Sequence, residues 1–220
     1  MCLPCSGWPV FIREEIMSSA VEFDERLIET LRSLTTIGIH NAVRGFSGLL
    51  GHKLEFGEPN VKLVPLTEIP MIVGGPENEA VGIYLRAEGD FHAQIMMILP
   101  LEKAFQLVDL LMEQPEGSTT FLGSLERSAL GEVGNMTGTF FMNAVANALG
   151  REIRPTPPAV MVDMVGAILD IIVATTGGVS DHVLLIQTCF KDGSRSVLTD
   201  FWVIPDAQSL QALQQAEKRE

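Results

Sequence analysis

Two long stretches of this chain carry apolar side chains at helical spacing. In the second, Leu130, Val133, Thr137, Phe141, Ala144 and Ala148 share one face, and Gly150 stands where such a helix would end. Ser128, Glu132, Asn135 and Thr139 fall on the opposite face, because side chains three and four positions apart stack on one another. Gly131 and Ala146 keep that polar face low, which invites close approach by another surface. Taken alone, the same face reads as an ordinary solvated helix side.

After each helix the pattern shortens to extended, β-rich runs. Pro59-Asn-Val-Lys-Leu-Val-Pro65 and Pro158-Ala-Val-Met-Val-Asp-Met164 match each other, as do Val81–Leu85 with Val183–Gln187 and Ile98–Pro100 with Val203–Pro205. Each of the last two prolines opens a short amphipathic helix, Leu101 to Met112 and Asp206 to Glu217, with proline at a first-turn position. The two long helices correspond at an offset of ninety-nine positions: Glu29, Ser33, Thr36, Gly51 and Pro59 lie over Ser128, Glu132, Asn135, Gly150 and Pro158. A period this long is not that of a solenoid. The pattern predicts an α+β fold made of a pseudo-twofold duplicated unit. Each half is a long helix, three strands and a short helix, and the halves share a sheet packed against the long helices. Only the second half keeps a paired amide and carboxylate.

Composition narrows the function. A chain of 220 residues can bury a substantial core. A formal charge of −13, without a basic patch, argues against a nucleic-acid backbone or an anionic membrane surface as partner. The apolar run from Ala159 to Thr175 is interrupted by Asp163 and Asp170, and an uncompensated carboxylate in mid-bilayer costs roughly 2.5–3.5 kcal/mol. Its β-branched density predicts buried strands rather than a membrane span. Glu14 and Glu15 replace the basic start of a signal peptide, so the expected location is the cytoplasm, and residues 1–20 are expected to be a disordered tail.

Most candidate chemistry fails on context. Three cysteines form no disulfide framework. Cys2 and Cys5 have redox or metal spacing without a βαβ pattern or second ligand pair behind them, and Cys189 reads as a small core hydrophobe. His40, His52, His92 and His182 belong to no triad or metal motif. Gly74-Gly75-Pro76 and Gly177-Gly178 read as turns, and Met96-Met97 as core. Glu132 and Asn135 remain. An asparagine is a poor general base, but its carbonyl oxygen and amide can orient a water. That suits a reaction whose leaving group is already good, such as hydrolysis of an aspartyl phosphate, where positioning and charge stabilisation matter most.

The pattern Ser128-x-x-x-Glu132-x-x-Asn135, followed by twenty-two residues and Pro158, resembles the signature of the CheC-type phosphatases of bacterial chemotaxis, a family that includes CheC, CheX and the flagellar-switch protein FliY. Glu132-Val-Gly-Asn135-Met-Thr-Gly138, Asn143-Ala-Val-Ala-Asn-Ala-Leu-Gly150 and the two-half layout extend the match from about Phe23 to Glu217. The resemblance implies one CheC-like domain over 21–220, with halves 21–117 and 118–220. It implies a phosphatase that dephosphorylates the aspartyl phosphate of a CheY-like response regulator and so terminates the motor signal. Carried over to this chain, Asn135 orients the attacking water, Glu132 docks the regulator through its active-site lysine, and Ser128 is a weaker docking position. No metal ligand or cofactor of its own is expected, because the magnesium belongs to the regulator's acidic pocket.

The chain departs from two-site members of that family. Ser33 stands where the first site needs Glu, and Thr36 where it needs Asn, so the first half is expected to be silent. Two-site members gain activity by binding the receptor deamidase CheD, which makes CheD a candidate partner. The chain is too short for the extra domain of FliY-like members, and the duplicated layout favours a monomer. A different class of reading is a non-catalytic binding module, because the middle domain of the switch protein FliM resembles the same fold without the Glu–Asn pairs.

Overall fold

The computed structural model describes residues 25–50, 55–57, 59–176, 182–193 and 195–217. Cys2, Cys5, His52, Gly51, Gly177-Gly178 and the expected tail lie outside the described residues. Helix α1 (Glu25–Leu50) is followed by β1 (Glu55–Phe56), β2 (Asn60–Pro65), a 3-10 turn (Leu66–Glu68), α2 (Ile69–Ile72), the hairpin β3 (Glu79–Gly89) and β4 (Ala93–Pro100), and α3 (Leu101–Leu111). The order then recurs with α4 (Ser124–Leu149), β5 (Ile153–Pro155), β6 (Ala159–Met164), α5 (Val165–Thr176), the hairpin β7 (His182–Asp192) and β8 (Arg195–Pro205), and α6 (Ala207–Glu217).

The duplication is metrical at the start of each half. Both long helices have 26 residues, and α1, β2, α4 and β6 begin and end ninety-nine positions apart. Burial follows the same offset: Leu31, Leu34, Thr35, Gly38 and Ile39 are buried, and so are Leu130, Val133, Gly134, Thr137 and Gly138. Helix α4 ends at Gly150, whose left-handed backbone (φ 60°) lets its N–H reach the carbonyl of Ala146.

All strand pairs are antiparallel. The hairpins meet at the centre through β4 and β8, with Met97 opposite Phe201. Strands β3 and β7 flank them. The outer strands are exchanged: β2 of the first half pairs with β7 of the second, and β6 of the second pairs with β3 of the first. One face of the sheet packs Ile95, Met97, Phe201 and Val203 against the long helices and α3 and α6. The other packs Met96, Ile98, Trp202 and Ile204 against α2 and α5.

Three expectations need correction. Only Ala159–Met164 of the apolar run is a strand; Val165–Thr176 is helix α5, and each half carries such an additional helix together with a short extra strand. Val165, Ile168, Leu169 and Ile172 recur at helical spacing and are buried, while Asp170 stays exposed, so burial of one face overrides the β-propensity of the branched residues. Ala148, expected on the buried face of α4, is exposed in its last turn. Gly131 is buried rather than on the polar face.

Candidate functional site

The site rests on how closely α4 lies on the sheet. A Cβ at Gly134 would fall inside the van der Waals shell of Ile83 Cγ2, and one at Gly138 would stand 2.5 Å from Leu85 Cδ1. A Cβ at Gly131 would meet Val160 Cγ2 at 3.5 Å and Pro158 Cγ at 3.9 Å. These three glycines therefore seat the helix on β3 and against the start of β6. Pro158, the distal element of the sequence pattern, packs beside the turn that carries Glu132 and Asn135. The sequence reading included Gly134 and Gly138 in its motif but gave them no packing role, although their spacing with Gly131 marks one helical stripe.

With that stripe turned inward, the polar set faces outward as the spacing predicts. Ser128 and Glu132 are exposed, and Asn135 and Thr139 are half-buried. Glu132 and Asn135 are one turn apart, with Cβ atoms about 5–6 Å from each other. Among the described residues neither side chain takes part in a hydrogen bond or an ion pair. Their donors and acceptors face solvent. The hydroxyls around them behave differently. Ser128 donates to the carbonyl of Ser124 at 2.7 Å, and Thr137, on the buried side, donates to that of Val133 at 2.6 Å.

The corresponding place on α1 differs in kind. Ser33 is exposed and Thr36 is half-buried. The Thr36 hydroxyl donates to the carbonyl of Arg32 at 2.9 Å, so its only proton is turned back onto the helix. Arg32 in turn pairs with Glu29 at 3.1 Å across one turn of surface. Neither a carboxylate nor an amide stands at these two positions of α1, which correspond to Glu132 and Asn135 on α4.

A cavity between α1, α4 and the sheet, lined by Thr35, Ile39, Thr137 and Phe141 among others, is apolar and lies on the inner side of α4. The polar set sits instead on the outer, convex surface of a helix. Such a surface fits a protein partner that brings its own pocket better than it fits a free small molecule. The remaining sequence candidates are dispersed. His92 is close to Asp206 (4.0 Å), Cys189 is half-buried in β7, and His40 and His182 are exposed at separate places.

Residues 125–162, which span nearly all of α4 and the first four residues of β6, match the model of the CheC-like family. The chain is similar to the CheY-P phosphatase CheC of Bacillus subtilis (strain 168), with 27% identity over 193 residues that cover 86% of this chain and 92% of that protein. In fold it resembles FliY of Thermotoga maritima (TM-score 0.69, 16% identity, 90% of this chain and 99% of the other). It also resembles the FliM middle domain of H. pylori (TM-score 0.62, 11% identity, 88% and 99%). No helix among the described residues is long and apolar enough to cross a membrane. The stretch that carries the candidate site is thus similar to the CheC-like family, most of the chain is similar in sequence to a CheC, and its fold is shared with FliY and the FliM middle domain.

Proposed function

We propose that this chain is a phosphatase of a phosphorylated, CheY-like response regulator, with one working site at Glu132 and Asn135. One observation carries the reading: a carboxylate and an amide, one turn apart on the exposed face of α4, have no bond to the described residues. Hydrated side chains on such a surface can exchange water for the groups of a partner without breaking a bond to a described residue. The similarity to a CheY-P phosphatase over most of the chain supplies the substrate class.

In the proposed reaction Asn135 enters the regulator's active site. Its Oδ1 accepts a hydrogen bond from a water and so aims the water oxygen at phosphorus, in line with the aspartyl oxygen. The new P–O bond forms as the acyl P–O bond breaks. The aspartate leaves with the electron pair, and the water proton passes to the phosphate. Because the carboxylate leaves readily, orientation suffices where a strong base would otherwise be needed. Glu132 pairs with a cationic side chain of the regulator, Ser128 borders the contact, and the magnesium comes with the regulator.

A second reading is a non-catalytic sensor of the phosphorylated regulator. It is favoured by the fold shared with a FliM middle domain and by the loss of the pair in the first half. Phosphate release from a phosphorylated regulator, with magnesium and with Asn135→Ala alongside, separates the two. Release accelerated by the wild type and abolished in the variant supports hydrolysis. Binding of the phosphorylated form with unchanged release would leave the sensor.

A further inference from the structure

The polar set on α4 continues into an apolar end that the fold does not use. Leu125 is seven residues before Glu132, two helical turns away on the same face, and Phe121 precedes it in the approach to the helix. Phe121 is 75% exposed and Leu125 61%, among the most exposed large apolar side chains described. The Phe121 ring lies close over Gly123, the N-cap of α4, with Cε1 3.8 Å from where a Cβ on that glycine would stand. A single exposed leucine needs no explanation, but a phenylalanine and a leucine beside an unpaired polar set do.

The duplication supplies an internal comparison. At the ninety-nine-residue offset Phe121 corresponds to Glu22 and Leu125 to Arg26, so the half without the Glu–Asn pair carries charges at both places. Arg26 is exposed on α1, as a solvated helix start should be. The apolar pair therefore accompanies the intact site and not the helix scaffold that both halves share.

We infer that Phe121 and Leu125 form the anchoring part of the docking surface for the regulator, meeting an apolar patch at the rim of its phosphorylation pocket. This rests on the phosphatase reading and adds residues to it. At 1.5 Å per residue Leu125 is roughly 10 Å along the helix from Glu132 and 15 Å from Asn135. The anchor therefore sits beyond reach of the reacting phosphoryl group, and it acts on binding while Asn135 acts on the chemical step. Aromatic residues, Phe among them, are enriched at protein interfaces relative to the rest of the surface.

The test uses the full chain with Phe121→Ser and Leu125→Ser, singly and together, and Met71→Ser on the opposite sheet face as a control. Affinity is measured for the regulator loaded with beryllofluoride, and phosphate release is followed against phosphorylated-regulator concentration. The double variant should raise Kd and KM together by about 10- to 100-fold with kcat within about twofold. Asn135→Ala should do the reverse, and Met71→Ser should change neither. An unchanged Kd in the double variant, or loss of self-association in place of regulator binding, overturns the anchor and leaves the phosphatase reading standing. Failure of the wild type itself to bind the loaded regulator removes both, and shows before any variant is compared.

Discussion

A hydroxyl and an amide on equivalent faces of equivalent helices behave differently here, and the difference bears on which half can work. Thr36 turns its proton onto the Arg32 carbonyl, whereas Asn135 has no bond to its own helix and keeps a longer arm with both a donor and an acceptor. Asn135→Ala is expected to lower kcat by about 10²–10³-fold, as loss of one transition-state contact does, with regulator affinity little changed. Glu132→Ala is expected to weaken both affinity and turnover. Thr36→Ala and Ser33→Ala should leave phosphate release unaltered; a loss comparable to that of Asn135→Ala would place a second working site on α1.

Asp200 is a residue of another kind, partly buried in β8 and bonded by the Gln187 amide at 3.0 Å. Burial raises its carboxyl above the ordinary 3.8, and the Gln187 bond offsets this only in part. The folded state thus holds this proton more tightly than the unfolded chain, so stability falls as pH rises from about the unfolded value through the raised one. Asp200→Asn, which removes the charge, should raise the urea midpoint at pH 7. The gain should disappear as the pH drops below the ordinary 3.8, where both states are protonated in the wild type.

The seating of α4 decides whether its residues can act at all. Replacing Gly138 by Ala gains up to about 1 kcal/mol in helix propensity but forces a methyl onto Leu85, and overpacking costs typically about 1–3 kcal/mol. The packing effect should win. Gly138→Ala should lower the urea midpoint, and it should also reduce phosphate release by lifting the outer face away from Pro158. Gly131→Ala, where the new methyl would meet Val160 and Pro158 at ordinary contact distance, should be far milder. The contrast separates close seating from a general intolerance of glycine replacement in this helix.

Across the whole molecule, the exchange of β2 and β6 ties the halves together more firmly than a repeat of two domains would. Strand β6 finds its partner β3 in the other half, and β8 finds β4 there. A polypeptide of residues 118–220 alone would leave both strands with unpaired edges. It should fail to unfold cooperatively as a monomer, and mixing it with residues 1–117 should restore a single cooperative transition. A stable monomeric half, judged by circular dichroism and sedimentation, would contradict this account.

What the linear order of residues determined here is what local periodicity and repetition can carry. Helical spacing around Leu130 and Val133, the ninety-nine-residue offset, and the outward position of Glu132 and Asn135 all follow from patterns within about one turn or one repeat. The silence expected of Ser33 and Thr36 could be read the same way, from residue type alone. Other features depended on contacts between distant parts of the chain. Val165–Thr176 became a helix because one of its faces is buried against the sheet, and Gly131 turned inward because β6 passes there. Pairing of β6 with β3 rather than within its own half is likewise a choice among sheet edges, which alternating strands leave open. Local sequence encodes which face a residue occupies; only packing decides what that face meets.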